Sequence, residues 1–117
     1  MDRPSLVTLA HRLQEARHRY PIGSYWQHLA SEDVYQIVDH TIDEGTSGVR
    51  LTYRPTKFDH EPTVPLQFPL KDIHFSRMMH EFSETVHVTR DNGGKESGAR
   101  FSKVKRGEAW VPWTNLR

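Results

Sequence analysis

The sequence predicts a mainly β protein of the α+β class: an N-terminal α-helix, a small antiparallel, partly open barrel, and a C-terminal β-hairpin with a tail. Three observations predict it. Apolar residues between Tyr20 and Phe75 come in short bursts, turn chemistry separates the bursts, and a stretch at helical spacing precedes them. The expected division is a helix over 1–20, the barrel over 21–82, and the hairpin and tail over 83–117. At 117 residues the chain has length for one modest core and not for two full domains.

The helix is expected from about Pro4 to Arg19. Leu6, Leu9, Ala10, Leu13, Ala16 and Tyr20 recur at helical spacing and stop before Pro21, with Asp2 or Ser5 as the cap. That apolar stripe is expected to pack on an open end of the barrel. The outer face places His11, Glu15 and His18 at i, i+4 and i+7, the spacing of metal ligands on one stripe. Arg12, Arg17 and Arg19 beside them repel a cation, which favours a solvated or nucleic-acid-facing surface.

Pro21-Ile22-Gly23 turns the chain into the sheet. The first strand carries Trp26 and His28 on one face and Tyr25 on the other. Val34-Tyr35-Gln36-Ile37-Val38 follows, and then Val49 to Tyr53, where Val49, Leu51 and Tyr53 alternate with Arg50, Thr52 and Arg54. Val64 to Phe68 is the fourth burst. The links Ala30 to Asp33, Asp43 to Gly48 and Arg54 to Lys57 are turn chemistry. Strands this closely spaced favour a meander, and a small sheet removes its edges most simply by curling.

The succession Gly23, Ser24, Tyr25, Trp26, Gln27, His28, then Val34 to Val38, Asp39-His40-Thr41, Val49 to Tyr53, and Pro69, Leu70, Ile73 and Phe75 resembles the DUF1653 family. These are small bacterial and phage domains, and the resemblance implies an SH3-like barrel and no particular reaction. It covers about half of the chain. Phe68 stands where the family usually has an Arg before the Pro-Leu pair, and the link from Arg54 to Thr63 is longer.

From Pro69 to Phe75 a short 3₁₀ or helical turn is expected to close the barrel with Leu70, Ile73 and Phe75 inward. Ser76 to Phe82 extends it, leaving Met78, Met79 and Phe82 as an apolar edge. Thr85 to Thr89 alternates as a strand, Asp91-Asn92-Gly93-Gly94 is a hairpin turn, and Ala99 to Val104 is the expected return strand.

The chemistry the residues allow is narrow. There is no cysteine, so thiol nucleophiles, disulfides and Cys-type zinc sites are excluded together. Asp39, His40, Asp43 and Glu44 crowd one expected loop and Asp59, His60 and Glu61 another, yet neither has an EF-hand or other diagnostic spacing. Gly94-Lys95 lacks the spacing of a phosphate loop. No apolar run approaches the ~20 residues that cross a bilayer, and a signal-peptide core is missing, so a cytoplasmic protein without membrane partner or cofactor is expected.

The net charge of +1 hides a layout: residues 1–22 hold four Arg against Asp2 and Glu15, residues 23–89 are acidic, and residues 90–117 are basic. The last stretch interleaves charge with rings through Arg100, Phe101, Lys103, Lys105, Arg106, Trp110 and Trp113. Lys and Arg neutralise phosphates while rings stack on bases. With Tyr25 or Trp26 as a further ring platform, the other of the two being expected to pack in the core, these residues are the expected contact to nucleic acid or a protein partner. A tail whose two Trp dock back on the domain explains the same letters. The expectation is a non-enzymatic binding module, nucleic acid favoured. The alternatives are an inhibitor or adaptor whose acidic middle meets one protein machine, and a metal-assisted hydrolase using His40 and His60.

Overall fold

The computed structural model describes residues 4–56 and 73–105. Helix α1 (Leu6–Arg19) starts where Ser5 caps it, the Thr8 amide donating to Ser5 Oγ at 3.1 Å. Gly23 then takes a φ of 89°, a left-handed turn that leads into β1 (Tyr25–His28). Strands β2 (Val34–Ile42), β3 (Val49–Pro55) and β4 (Phe75–Met78) follow, then a single helical turn α2 (Met79–Phe82). Strands β5 (Thr85–Thr89) and β6 (Lys95–Ala99) form a hairpin, and β7 (Phe101–Val104) closes the chain of elements.

Five strands make one antiparallel sheet in the order β4-β3-β2-β1-β7, and β5 with β6 make a separate two-stranded ribbon. The protein is mainly β with an N-terminal helix, and its large sheet is curled into a half-barrel. Ring positions show the curl. Tyr53 on β3 and Phe101 on β7 are three strand steps apart, about 14 Å on a flat sheet at ~4.8 Å per step, yet their centroids lie 5.4 Å apart.

The concave face holds the core. Ala16, Tyr20, Ile37, Val49, Leu51, Tyr53, Phe82 and Phe101 pack as one buried cluster. Along β3 the burial follows the sequence alternation, with Val49, Leu51, Tyr53 and Pro55 in and Arg50, Thr52 and Arg54 half-exposed. In β2 the alternation breaks, because the register shifts between Ile37 and Asp39. That bulge turns both Ile37 and His40 inward, three residues apart.

Several expectations are corrected. The second strand runs on to Ile42, so Asp39 and His40 lie in a strand and not in a loop. Phe75 to Met78 is a strand, not a helical turn; it pairs with β3 and is the last strand of the sheet among the described residues. Phe75 faces the concave side opposite Tyr53 but, on this outer strand, is 45% exposed and not buried. The helical turn is shorter than expected and drives Phe82 into the centre of the core. The strand returning on β5 is Lys95–Ala99, while Phe101–Val104 crosses back to pair with β1. Only the last turns of α1 pack. Ala16 and Tyr20 are buried and Leu13 leans on the cluster, but Leu6 is 83% exposed, since a 14-residue helix, about 21 Å long, overhangs so small a barrel. The fourth burst, Val64 to Phe68, the loop with Asp59, His60 and Glu61, and Leu70 lie outside the described residues.

Candidate functional site

Among the described residues, a cleft at one end of the concave face is the candidate site. His28 from β1, Tyr35 from β2, Tyr53 from β3, Phe75 and Arg77 from β4 and Phe101 from β7 line a cleft of about 200 Å³. Register brings them together: His28 sits opposite Phe101, Tyr53 opposite Phe75 and Ile37, and all point to the same face by the two-residue period of the strands. Tyr53 and Phe101 are buried and form the floor; Tyr35 and His28 are half-buried walls; Phe75 stands open at the rim.

The rings meet edge to face. Tyr35 lies 5.3 Å from Tyr53 at 88° and 6.2 Å from Phe75 at 83°, the arrangement that sets a positive ring edge against a negative face. Such contacts fix the walls without filling the space between them. Below the floor, Phe101 stacks on Phe82 at 4.0 Å and 13°, which ties the cleft to the core.

Polar groups sit at its margin and are held by α2 and the segment after it. Arg77 reaches Tyr53 Oη at 3.5 Å and Glu81 at 3.2 Å. Arg100 donates from Nε to the Glu81 carbonyl at 3.2 Å and pairs with Glu84 at 3.7 Å. His28 lies between the two cations. Its proton affinity is lowered by burial first, and then by Arg77 and Arg100, with Asp33 opposing. The Ser31 amide donates to His28 Nδ1 at 3.2 Å, so Nδ1 is the acceptor and Nε2 carries the proton. The cleft thus combines a ring-lined interior with one lining guanidinium, ion pairs Arg77–Glu81 and Arg100–Glu84 near it, and one imidazole donor.

A second, polar cleft of about 190 Å³ lies between the barrel and the β5–β6 hairpin. Arg90 fills its centre with bonds to the Leu29 and Ala30 carbonyls at 2.8 and 3.0 Å and to both Glu96 oxygens at 3.0 Å. Its donors are committed to holding the hairpin, and that is a structural staple.

The expected contact residues divide. Phe101 is 3% exposed and Trp26 packs on Tyr20 and Phe82, its indole donating to Ser24 Oγ at 2.8 Å, so neither is an open platform. Both point to the concave face, and that face is where the core formed. Tyr25 lies on the convex face near Gln36. Arg100 is at the cleft margin, and Lys103 and Lys105 are exposed on and just beyond β7. Arg106, Trp110 and Trp113 lie outside the described residues. Sequence reading missed Tyr35, Tyr53, Phe75 and Arg77 as site residues. The signal was there in the aromatic content of consecutive strands, but a ring in a strand reads as core until the cover over it is known. Among the described residues no three His, Asp or Glu gather as a metal set; the His11, Glu15 and His18 stripe stays spread along an exposed helix.

No family model and no curated protein matches this chain. Among solved structures it is similar to the crystal structure of a protein belonging to DUF1653 from Bordetella bronchiseptica, at 18% identity and a TM-score of 0.43, covering 70% of this chain and 85% of that chain. That is the family the residues from Gly23 to Phe75 resemble.

Proposed function

We propose that the protein is a non-enzymatic binding module for nucleic acid, with the concave cleft and the basic β7 margin as its contact surface. The observation that carries the reading is the Arg77 guanidinium in the lining of a ring-lined cleft, with Arg100 acting electrostatically on the His28 wall and Lys103 exposed on the strand that carries Phe101. A polyanion with flat bases satisfies both halves of that surface, cations against phosphate and rings against bases. The basic balance of residues 90–117 in the sequence supports the same reading.

The test is binding of a fluorescent 20-nucleotide DNA strand across a salt series. Engagement of three cations gives a log-affinity against log-salt slope of about −2. Binding that ignores salt, or no binding to DNA or RNA, sinks the reading.

A second reading, an adaptor or inhibitor of one protein machine, is favoured by the overhanging start of α1, where Leu6 and Val7 are 83% and 65% exposed. A stoichiometric protein partner that survives nuclease treatment and is lost with Leu6→Ser and Val7→Ser supports it.

A further inference from the structure

Resting on the nucleic-acid reading, we propose that the cleft takes one unstacked base of a single strand, lodged against Phe75 and Tyr35 with Arg77 at its phosphate. Size gives the first argument. At about 200 Å³ the cleft is smaller than the ~300–1,000 Å³ of ordinary small-molecule pockets, so it accommodates one ring system. Its lining gives the second. Five of the six lining residues are rings, and the sixth is a guanidinium. A flat π-system with a negative substituent matches that composition group by group.

Competing occupants fit less well. Ring-lined cups also hold ammonium groups, but the charged group that lines this one is the Arg77 guanidinium, paired from outside by Glu81, and among the described residues no carboxylate lines the cleft to receive a cation. A duplex keeps its bases stacked and must extrude one at a cost of a few kcal/mol before the cleft is reached. Single strands avoid that cost. Phe75 supplies the face: it is 45% exposed, its contacts to Tyr35 and Tyr53 at 6.2 and 6.0 Å hold the ring in place, and it is not itself a member of the buried core cluster. His28 Nε2–H adds a donor for a base edge, which gives modest base preference on top of stacking.

The experiment uses the full chain and a 12-nucleotide strand with 2-aminopurine at its centre, as single strand and as duplex. The wild type is expected to bind the single strand at least tenfold more tightly and to change the 2-aminopurine emission on binding. Phe75→Leu, which keeps an apolar side chain and removes the ring, is expected to weaken single-strand binding roughly 5- to 150-fold, the range for losing one stacked base, and to abolish the emission change. Lys103→Ala is expected to weaken single strand and duplex alike and to leave the emission change intact. Unchanged single-strand affinity in Phe75→Leu, equal affinity for duplex, or equal displacement of the strand by poly-L-glutamate overturns the base pocket while salt-dependent binding leaves the broader nucleic-acid reading standing. Absence of binding to any strand overturns both. A thermal midpoint of Phe75→Leu close to that of the wild type separates lost contact from lost fold.

Discussion

The two ends of the concave face are made of the same kind of side chain and have opposite fates. At one end Tyr20, Trp26 and Phe82 pack at centroid distances of 4.8 to 6.1 Å under the last turns of α1. At the other Tyr35, Tyr53 and Phe75 pack at 5.3 to 6.2 Å around a cleft, with Tyr53 buried as its floor and Phe75 45% exposed at its rim. Ring density is therefore no mark of a site in this protein. Cover is: a helix end converts one cluster into core, while among the described residues β4 is the last strand of the sheet and the rings beside it line a cleft. Phe101 belongs to both, stacked on Phe82 and 5.0 Å from His28, so the stability of one end positions the other.

The strongest way to break the comparison is Phe82→Ala. Phe82 is 1% exposed and touches Tyr20, Trp26, Tyr53 and Phe101, so the loss is expected at about 3–5 kcal/mol, read by urea unfolding. A loss under 1 kcal/mol contradicts the assignment of this end as the core.

Acid acts on the same end. His40 is 4% exposed, and its Nε2 donates to the Tyr20 carbonyl at 2.6 Å where α1 ends. Among the described residues Nδ1 has no partner. Burial pushes its proton affinity down, the Tyr20 bond opposes, Arg17 lowers it further and Asp39 opposes. Because the folded value is depressed, the unfolded chain takes up the proton first. Stability is complete above the ordinary value of 6.5 and falls as pH drops below it toward the folded value. A protonated Nδ1 is a buried donor without acceptor, a defect of about 1–3 kcal/mol. Urea unfolding at pH 8 and pH 5 reads it, and His40→Gln is expected to flatten the difference. The half-buried His28 contributes with the same sign, so the residual slope in His40→Gln measures the cleft end.

A smaller effect is expected at the cleft rim. Phe75→Ala removes a ring that is 45% exposed and should cost less than ~1 kcal/mol while changing ligand contact, the reverse of Phe82. Hydrogen exchange of β4 against β3 checks that the strand still pairs. The smallest is Leu6→Ser: on a residue 83% exposed, the thermal midpoint should move by the equivalent of no more than ~0.5 kcal/mol.

Much of this architecture was legible in local patterns. The alternation from Val49 to Tyr53, the cap at Ser5, the Asp43 to Gly48 turn and the Asn92-Gly93 turn, where Gly93 takes a φ of 86°, are read and found where expected. These are decided by neighbours in sequence, through side-chain period, capping oxygen and backbone freedom. The site was less legible. Core packing is expected for one of Tyr25 and Trp26, and it is Trp26 that packs, as does Phe101, while Tyr35, Phe75 and Arg77, which are not expected as contacts, line the cleft.

By itself, then, the order of residues determined a helix, a run of short strands and the faces those strands present, because each depends on spacings of two to four positions. Only the tertiary structure decided which rings are covered. Phe101 pairs with β1 across more than seventy positions, the bulge after Ile37 turns His40 inward, and the overhang of α1 sets where its cover ends. Exposure is a property of what folds over a side chain, and the groups that do the covering here are far away along the chain.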